Sequence, residues 1–165
     1  MSTHRAWFYR KNTSNYKLEL ALQEIPRENE LGPHDCLLAV RAASLNYRDR
    51  INWRNLAGRN IEGKVPLSDG AGEILAVGSQ VTQWRPGDRV AACFFPTWQS
   101  GGFDLAYHQQ DLGGNLDGML RERAVFSENA LVAIPDGWSF SQAATLPCAA
   151  VTAWVSLVRR GNLKA

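Results

Sequence analysis

The sequence predicts a mostly β domain of barrel or sandwich type that gives way to helices at its C-terminal end. Three observations predict it. Short apolar runs recur through the first two-thirds of the chain with Gly- and Pro-containing turns between them, the pattern of many short strands. After Pro135 the apolar spacing changes from strand-like to helical. The chain has 165 residues, 45% of them hydrophobic and 21% charged, which suits one buried core and not two.

Strands are expected, in order, at Ala6–Tyr9, Lys17–Glu24, Cys36–Ser44, Gly72–Val77, Arg89–Phe94, Leu120–Phe126 and Leu131–Ile134. Their turns are chemically specific. Glu30-Leu31-Gly32-Pro33 leads into the third strand. Arg85-Pro86-Gly87-Asp88 sets a proline of fixed φ beside a glycine, which suits a tight turn ahead of Arg89. Between the third and fourth strands, Asp49–Leu56 is polar with spaced apolar residues and is expected as a short helix. From Pro96 to Gly118 the chain is rich in Gly, Gln and Asp, with Trp98, Phe103 and Tyr107 as anchors. An excursion of that length points to a functional or interface role.

Beyond Pro135, Ser139-Phe140-Ser141-Gln142 fits a capping box, with Ser139 as N-cap and Gln142 reaching back. That helix should end near Pro147. A second should start there, because Ala144, Cys148, Val151, Val155 and Val158 recur at helical spacing. Arg159-Arg160-Gly161 supplies a basic end and a glycine stop.

Composition narrows the function classes. A formal net charge of +2, with the basic residues scattered, argues against nucleic acid and against an acidic membrane surface. Met1–Trp7 lacks the apolar run of a secretory signal. The longest apolar stretch, Ala143–Val158, is broken by Thr145, Pro147, Thr152 and Ser156 and reads as buried helix. Cys36, Cys93 and Cys148 are widely spaced with no C-x-x-C pair, which argues against a disulfide framework or a zinc knuckle. A reducing, cytoplasmic setting is expected. His4, His34 and His108 lack metal spacing and are expected on the surface or in loops.

Four stretches in one order carry a resemblance to a known family. They are Val40-Arg41-Ala42-Ala43-Ser44-Leu45-Asn46-Tyr47-Arg48-Asp49, then Asp69-Gly70-Ala71-Gly72-Glu73-Ile74, then Val77-Gly78 leading to Pro86-Gly87-Asp88-Arg89-Val90, and last Ala143-Ala144-Thr145-Leu146-Pro147-Cys148 with Thr152-Ala153-Trp154. Together they resemble the medium-chain dehydrogenase/reductase superfamily, in particular its zinc-free quinone oxidoreductase-like branch. The resemblance implies a GroES-like distorted β-barrel over residues 1–135 and junction helices over 136–165. It also implies a Rossmann domain beginning just beyond Ala165, with NADPH or NADH in the cleft between the two. The chain itself has no G-x-G-x-x-G that follows a strand, and Gly70-Ala71-Gly72 opens a strand instead of a helix. A fragment, a truncated product or one piece of a larger enzyme is therefore expected. The helical face of Ala144, Val151, Val155 and Val158 is expected to be partly exposed and to favour self-association into a homo-oligomer.

Zinc members of the family hold catalytic metal with a Cys, a His and a second Cys. Matched motif by motif, those positions are Asn46, Ser68 and Cys148 here. Catalytic zinc needs three such ligands and an open position, and an amide and a hydroxyl replace a thiolate and an imidazole poorly. Pro96–Gly118 also lacks the cysteines of the family's structural zinc lobe. No metal is expected. Hydride would then pass from the reduced nicotinamide to a small-molecule quinone, enone or other activated carbonyl. The charge developing on oxygen would be met by hydrogen-bond donors, ordered water or the cofactor ribose.

The resemblance places Asn46, Tyr47 and Arg48 as the catalytic group, and Asn46 and Thr152 at the cofactor. Asp49 is expected to accept hydrogen bonds that pin the turn. Without the resemblance, such a polar cluster is a turn, and Thr152 bonds back to a helix carbonyl. Trp53 and Trp154 either line the cleft or belong to the core, the commoner fate in a chain with six tryptophans. Cys148 inside an apolar helix reads as an inert, buried thiol. Two other functions stay open: a zinc-type alcohol dehydrogenase-like enzyme and a non-catalytic GroES-like scaffold, because a fold does not fix a function.

Overall fold

Two antiparallel sheets and a set of C-terminal helical turns make up the computed structural model, which describes residues 2–12, 18–26, 30–56 and 58–164. The first sheet is a hairpin of β1 (Thr3–Lys11) and β2 (Leu18–Pro26), registered so that Trp7 faces Leu22. Lys17, the expected start of the second strand, lies outside the described residues. Alternation along β1 turns His4 and Ala6 inward, and Tyr9, on the other face, is buried against Leu18 and Ile61. His4 is therefore buried, at 3% exposure, and not on the surface as its sequence context suggested.

The second sheet has the order β6-β3-β4-β5-β7. Its strands are β3 (Asp35–Ser44), β4 (Asp69–Val77), β5 (Arg89–Ala92), β6 (Arg123–Ser127) and β7 (Leu131–Ala133). Ladder pairing does not close the sheets into a ring among the described residues. Backbone bonds outside the ladders stitch them together instead. The Trp7 N–H donates to the Leu120 carbonyl at 3.0 Å, and the Glu122 N–H donates to the Arg5 carbonyl at 2.9 Å. The run Leu120–Phe126, expected as one strand, thus serves two sheets. Its first residues cross to β1, and only from Arg123 does it pair with β3. Likewise β4 begins at Asp69, before the expected Gly72, because Gly70 and Ala71 already pair with β3.

The main core gathers Cys36 and Leu38 of β3, Ile74 of β4, Val90 of β5 and Phe126 of β6 around Leu112 and Met119. Each large apolar side chain buried this way contributes about 1.5–3 kcal/mol. The turn before β5 forms as the sequence predicts. Gly87 takes a φ of 93°, and the Asp88 carboxylate accepts the Arg85 N–H at 2.9 Å.

The short helix α1 (Tyr47–Trp53) starts two residues before Asp49. Asp49 occupies its third position and reaches back to accept the Asn46 N–H at 2.7 Å, which is why the helix begins so early. The C-terminal box forms on both sides of α2 (Phe140–Ala143). The Gln142 N–H donates to Ser139 Oγ at 3.2 Å, and the Ser139 N–H donates to Gln142 Oε1 at 2.9 Å. The next helical stretch has α geometry only in α3 (Val151–Trp154), with wider π turns over Leu146–Ala150 and Val155–Arg160. It ends at Arg160 with Gly161 as its C-cap, as expected, but Gly161 keeps a helical φ of −79° and it is Asn162 that takes the left-handed φ of 52°. Asn does so at low cost because its side chain can bond locally. Ala144 is buried, while Val151, Trp154, Val155 and Leu157 are between 41% and 61% exposed. Among the described residues no helix is long and apolar enough to cross a membrane.

Candidate functional site

The polar cluster forms where β3 ends and β4 begins, since Ser44 pairs with Asp69. The turn into β4 is under constraint. Leu67 is buried with a φ of 68°, a conformation rare for a bulky side chain. Its carbonyl accepts the Met119 N–H at 2.7 Å, and the Pro66 carbonyl accepts the Leu120 N–H at 3.1 Å. Gly118 lies so close that a Cβ there would sit 2.1 Å from the Leu67 oxygen. This clamp fixes the two residues that follow, Ser68 and Asp69, both wholly buried.

Asp69 connects the cluster to the C-terminal helical stretch. Ser68 Oγ donates to Asp69 Oδ1 at 2.6 Å, and the Cys148 N–H donates to Asp69 Oδ2 at 2.9 Å. Burial, and then the charge of Asp69, push the Cys148 thiol above its ordinary range, against the Arg48 charge and a Thr152 hydrogen bond that pull it down. Cys148 is thus a protonated thiol at neutral pH. Burial also raises the Asp49 carboxyl, partly offset by the Asn46 amide and Arg48. Two buried polar atoms in this cluster have no hydrogen-bond partner: Asn46 Nδ2 and Asp49 Oδ1.

Arg48 is engaged elsewhere. Its guanidinium donates to Asp111 at 2.5 Å and to the Leu112 carbonyl at 2.6 Å, and it lies 4.6 Å from the centre of the Phe94 ring. Asp111 also accepts two hydrogen bonds from Arg59, at 3.0 and 2.7 Å, and further ones from Asn115. Burial tends to raise the Asp111 carboxyl, but the Arg59 bonds and the Arg48 charge outweigh it and hold the group below its usual range. From α1, Asn52 adds a bond to the Gly113 carbonyl at 3.1 Å. Arg48 therefore fastens α1 to the 111–115 loop. Tyr47 is 68% exposed, with Arg50 over its ring. Of the three residues expected to be catalytic, only Asn46 keeps a buried, unpartnered donor.

Beside this cluster lies a cleft of about 570 Å³. Its lining draws on Cys93, Phe94, Phe95 and Trp98 after β5, on Val132 to Pro135, and on the last helical stretch between Leu146 and Ser156. Cys148 and Thr152 line it. Asn46, Tyr47 and Arg48 do not, although Arg48 stacks on the lining residue Phe94. Trp53 and Trp154, at 52% and 61% exposure, belong neither to the cleft lining nor to the core. Sequence reasoning missed Asp69 and Asp111 as organising carboxylates. Asp69 stood in view at the head of Asp69-Gly70-Ala71-Gly72, but no local signal announces Asp111, whose partners are all remote or loop residues. Phe94 was hidden by its reading as the end of the strand Arg89–Phe94, which stops at Ala92, and Phe95 stood just beyond that reading.

Comparison with known proteins gives consistent matches. The alcohol dehydrogenase GroES-like domain matches residues 32–136. A zinc-type alcohol dehydrogenase-like protein of Schizosaccharomyces pombe is 44% identical over 136 residues, 81% of this chain and 38% of that protein. A chloroplastic quinone-oxidoreductase homologue of Spinacia oleracea is 32% identical over 154 residues, 89% of this chain and 38% of that protein. Among solved structures, a protein of Sinorhizobium meliloti 1021 named provisionally as an alcohol dehydrogenase superposes with a TM-score of 0.83 at 37% identity, covering 100% of this chain and 49% of that one. A quinone oxidoreductase of Pseudomonas syringae gives a TM-score of 0.66 at 26% identity, covering 99% and 43%. The chain spans about two-fifths of the length of these curated relatives.

Proposed function

The chain belongs to the alcohol dehydrogenase GroES-like family, and from that membership we propose that it forms the substrate side of an NAD(P)H-dependent oxidoreductase reducing quinones, enones or related carbonyls without zinc. In this reading residues 1–135 are the GroES-like domain, 136–165 the junction to a dinucleotide-binding half, and the setting is cytoplasmic. The observation that carries it is Asn46 Nδ2, a buried donor with no partner in a cluster that also holds Cys148 and Thr152. A buried amide left unpaired costs about 1–3 kcal/mol, so such a donor calls for an acceptor from a bound molecule.

The donor set fits a nicotinamide cofactor and fits zinc badly. The family's three metal positions hold an amide, a hydroxyl already donated to Asp69, and one thiol, so only one of the three is a good zinc ligand. Among the described residues no group of three or more His, Cys, Asp or Glu is arranged to hold a metal. A bound reduced nicotinamide would supply the hydride. Asn46 lies outside the cleft lining, so its amide would have to turn toward the cleft to donate to the cofactor ribose or to the substrate oxygen, and Thr152, which lines the cleft, would contact the nicotinamide. Asp69 holds the Cys148 end of the helical stretch, and the apolar walls exclude water.

A zinc-type enzyme is the second reading, favoured by Cys148 at a ligand position and by the name of the Schizosaccharomyces pombe relative. The test is steady-state kinetics of the full-length protein with NADPH and an enone. Asn46→Ala should lower kcat about 10²–10³-fold, the cost of one lost oxyanion donor. An unchanged kcat would remove Asn46 from the chemistry.

A further inference from the structure

The segment after β5 packs its own aromatic side chains into one cluster. Phe95 lies 5.4 Å from Phe103 and 6.2 Å from Trp98, ring centre to ring centre, and Trp98 meets Phe103 edge-on at 5.2 Å. Tyr107 stacks on Trp98 at 6.0 Å, with 23° between the planes. The Trp98 N–H of the main chain donates to the Phe95 carbonyl at 3.1 Å, and its indole N–H donates to the Gly101 carbonyl at 3.3 Å. An indole with these contacts is fixed before any ligand arrives. Yet Trp98 remains 39% exposed and lines the cleft.

The lining also includes the aliphatic side chains of Leu146, Val151 and Val155, and among the described residues no charged side chain lines the cleft. Its polar side chains are the thiols of Cys93 and Cys148 and the hydroxyls of Thr152 and Ser156. Carboxylates and phosphates would find no counter-charge there. A packed indole in a cleft lined otherwise by aliphatic side chains suits a flat, uncharged molecule, since aromatic pairs gain beyond the area they bury.

We propose that Trp98 is a specificity-determining residue, a preorganised stacking wall that selects planar aryl carbonyl compounds over flexible alkyl ones of equal hydrophobicity. The proposal rests on the reading of this cleft as the carbonyl site. Because selection is read by binding alone, the two fail separately. Reduction of enones without aryl selection overturns the role of Trp98 and leaves the oxidoreductase reading standing. Aryl selection without turnover overturns the reaction and leaves Trp98 standing.

The experiment is isothermal titration of the full-length protein with benzylideneacetone and with an alkyl enone of matched partition coefficient. The aryl ketone should bind roughly three- to tenfold more tightly. Trp98→Leu, which keeps apolar bulk and removes the π face, should bring the ratio to about one with alkyl binding within about twofold of wild type. Trp98→Phe, which keeps a ring, should retain most of it. A wild-type ratio near one overturns the proposal without any variant. So does a Trp98→Leu protein that binds the alkyl ketone normally and still prefers the aryl one.

Discussion

At the scale of single residues, the carboxylates decide most. Asp111 is buried between two guanidiniums. Asp111→Asn should cost about 3 kcal/mol in denaturant unfolding, because removing one partner of a buried ion pair leaves charge uncompensated. The sign with pH follows from its depressed pKa. The stabilisation is complete above the unfolded value of about 4 and is lost as pH falls through the folded value, so the gap between wild type and Asp111→Asn should close in acid. Asp49 has the opposite shift, so its ionisation opposes folding as pH rises. Asp49→Asn can still accept the Asn46 N–H and should change stability little at pH 7, whereas Asp49→Ala should lose about 1 kcal/mol of capping. Cysteine alkylation checks the thiols. Burial raises both Cys93 and Cys148, so iodoacetamide labelling followed by mass should be slow at pH 7 and still climbing at pH 9. A fast-labelling Cys148 at pH 7 would contradict the protonated thiol.

At the scale of elements, local chemistry was readable and remote chemistry was not. The capping box at Ser139 and the Pro86-Gly87 turn follow from neighbouring residues, and both form as expected. Asn46, Cys148 and Thr152 could be marked as candidates from motifs. The Asp69 bond to Cys148 joins residues 79 positions apart, and nothing near either one announces it. The buried His4 escaped notice because its short polar context hid the strand alternation. The last helical stretch ends at Gly161 as expected, while the left-handed residue just beyond it, Asn162, had no signal in the sequence. Ser139→Ala should cost about 1 kcal/mol. Gly118→Ala should cost about 3 kcal/mol or more, because its Cβ meets rigid backbone oxygens of Pro66 and Leu67. Thermal unfolding of the two variants gives the order.

At the scale of the molecule, two open sheets, a clamped turn and a helical stretch place an unpartnered amide near an apolar cleft. The mostly β architecture was legible because strand alternation and turn residues are local. The stitching of the hairpin to the larger sheet was not, because it runs through irregular backbone at Lys64 and Leu120. Trp154 and Leu157, outside the cleft lining, are more than half exposed on the last helical stretch. The 165-residue chain should therefore self-associate with rising concentration on size exclusion, and Trp154→Glu should suppress this. The proposed reduction of a carbonyl on this cleft without metal has one direct test. It is the rate of NADPH oxidation by the full-length protein with an aryl enone, before and after exhaustive chelation. An unchanged rate, with no stoichiometric zinc in the protein, is the predicted result. A rate lost on chelation and restored by zinc would contradict it.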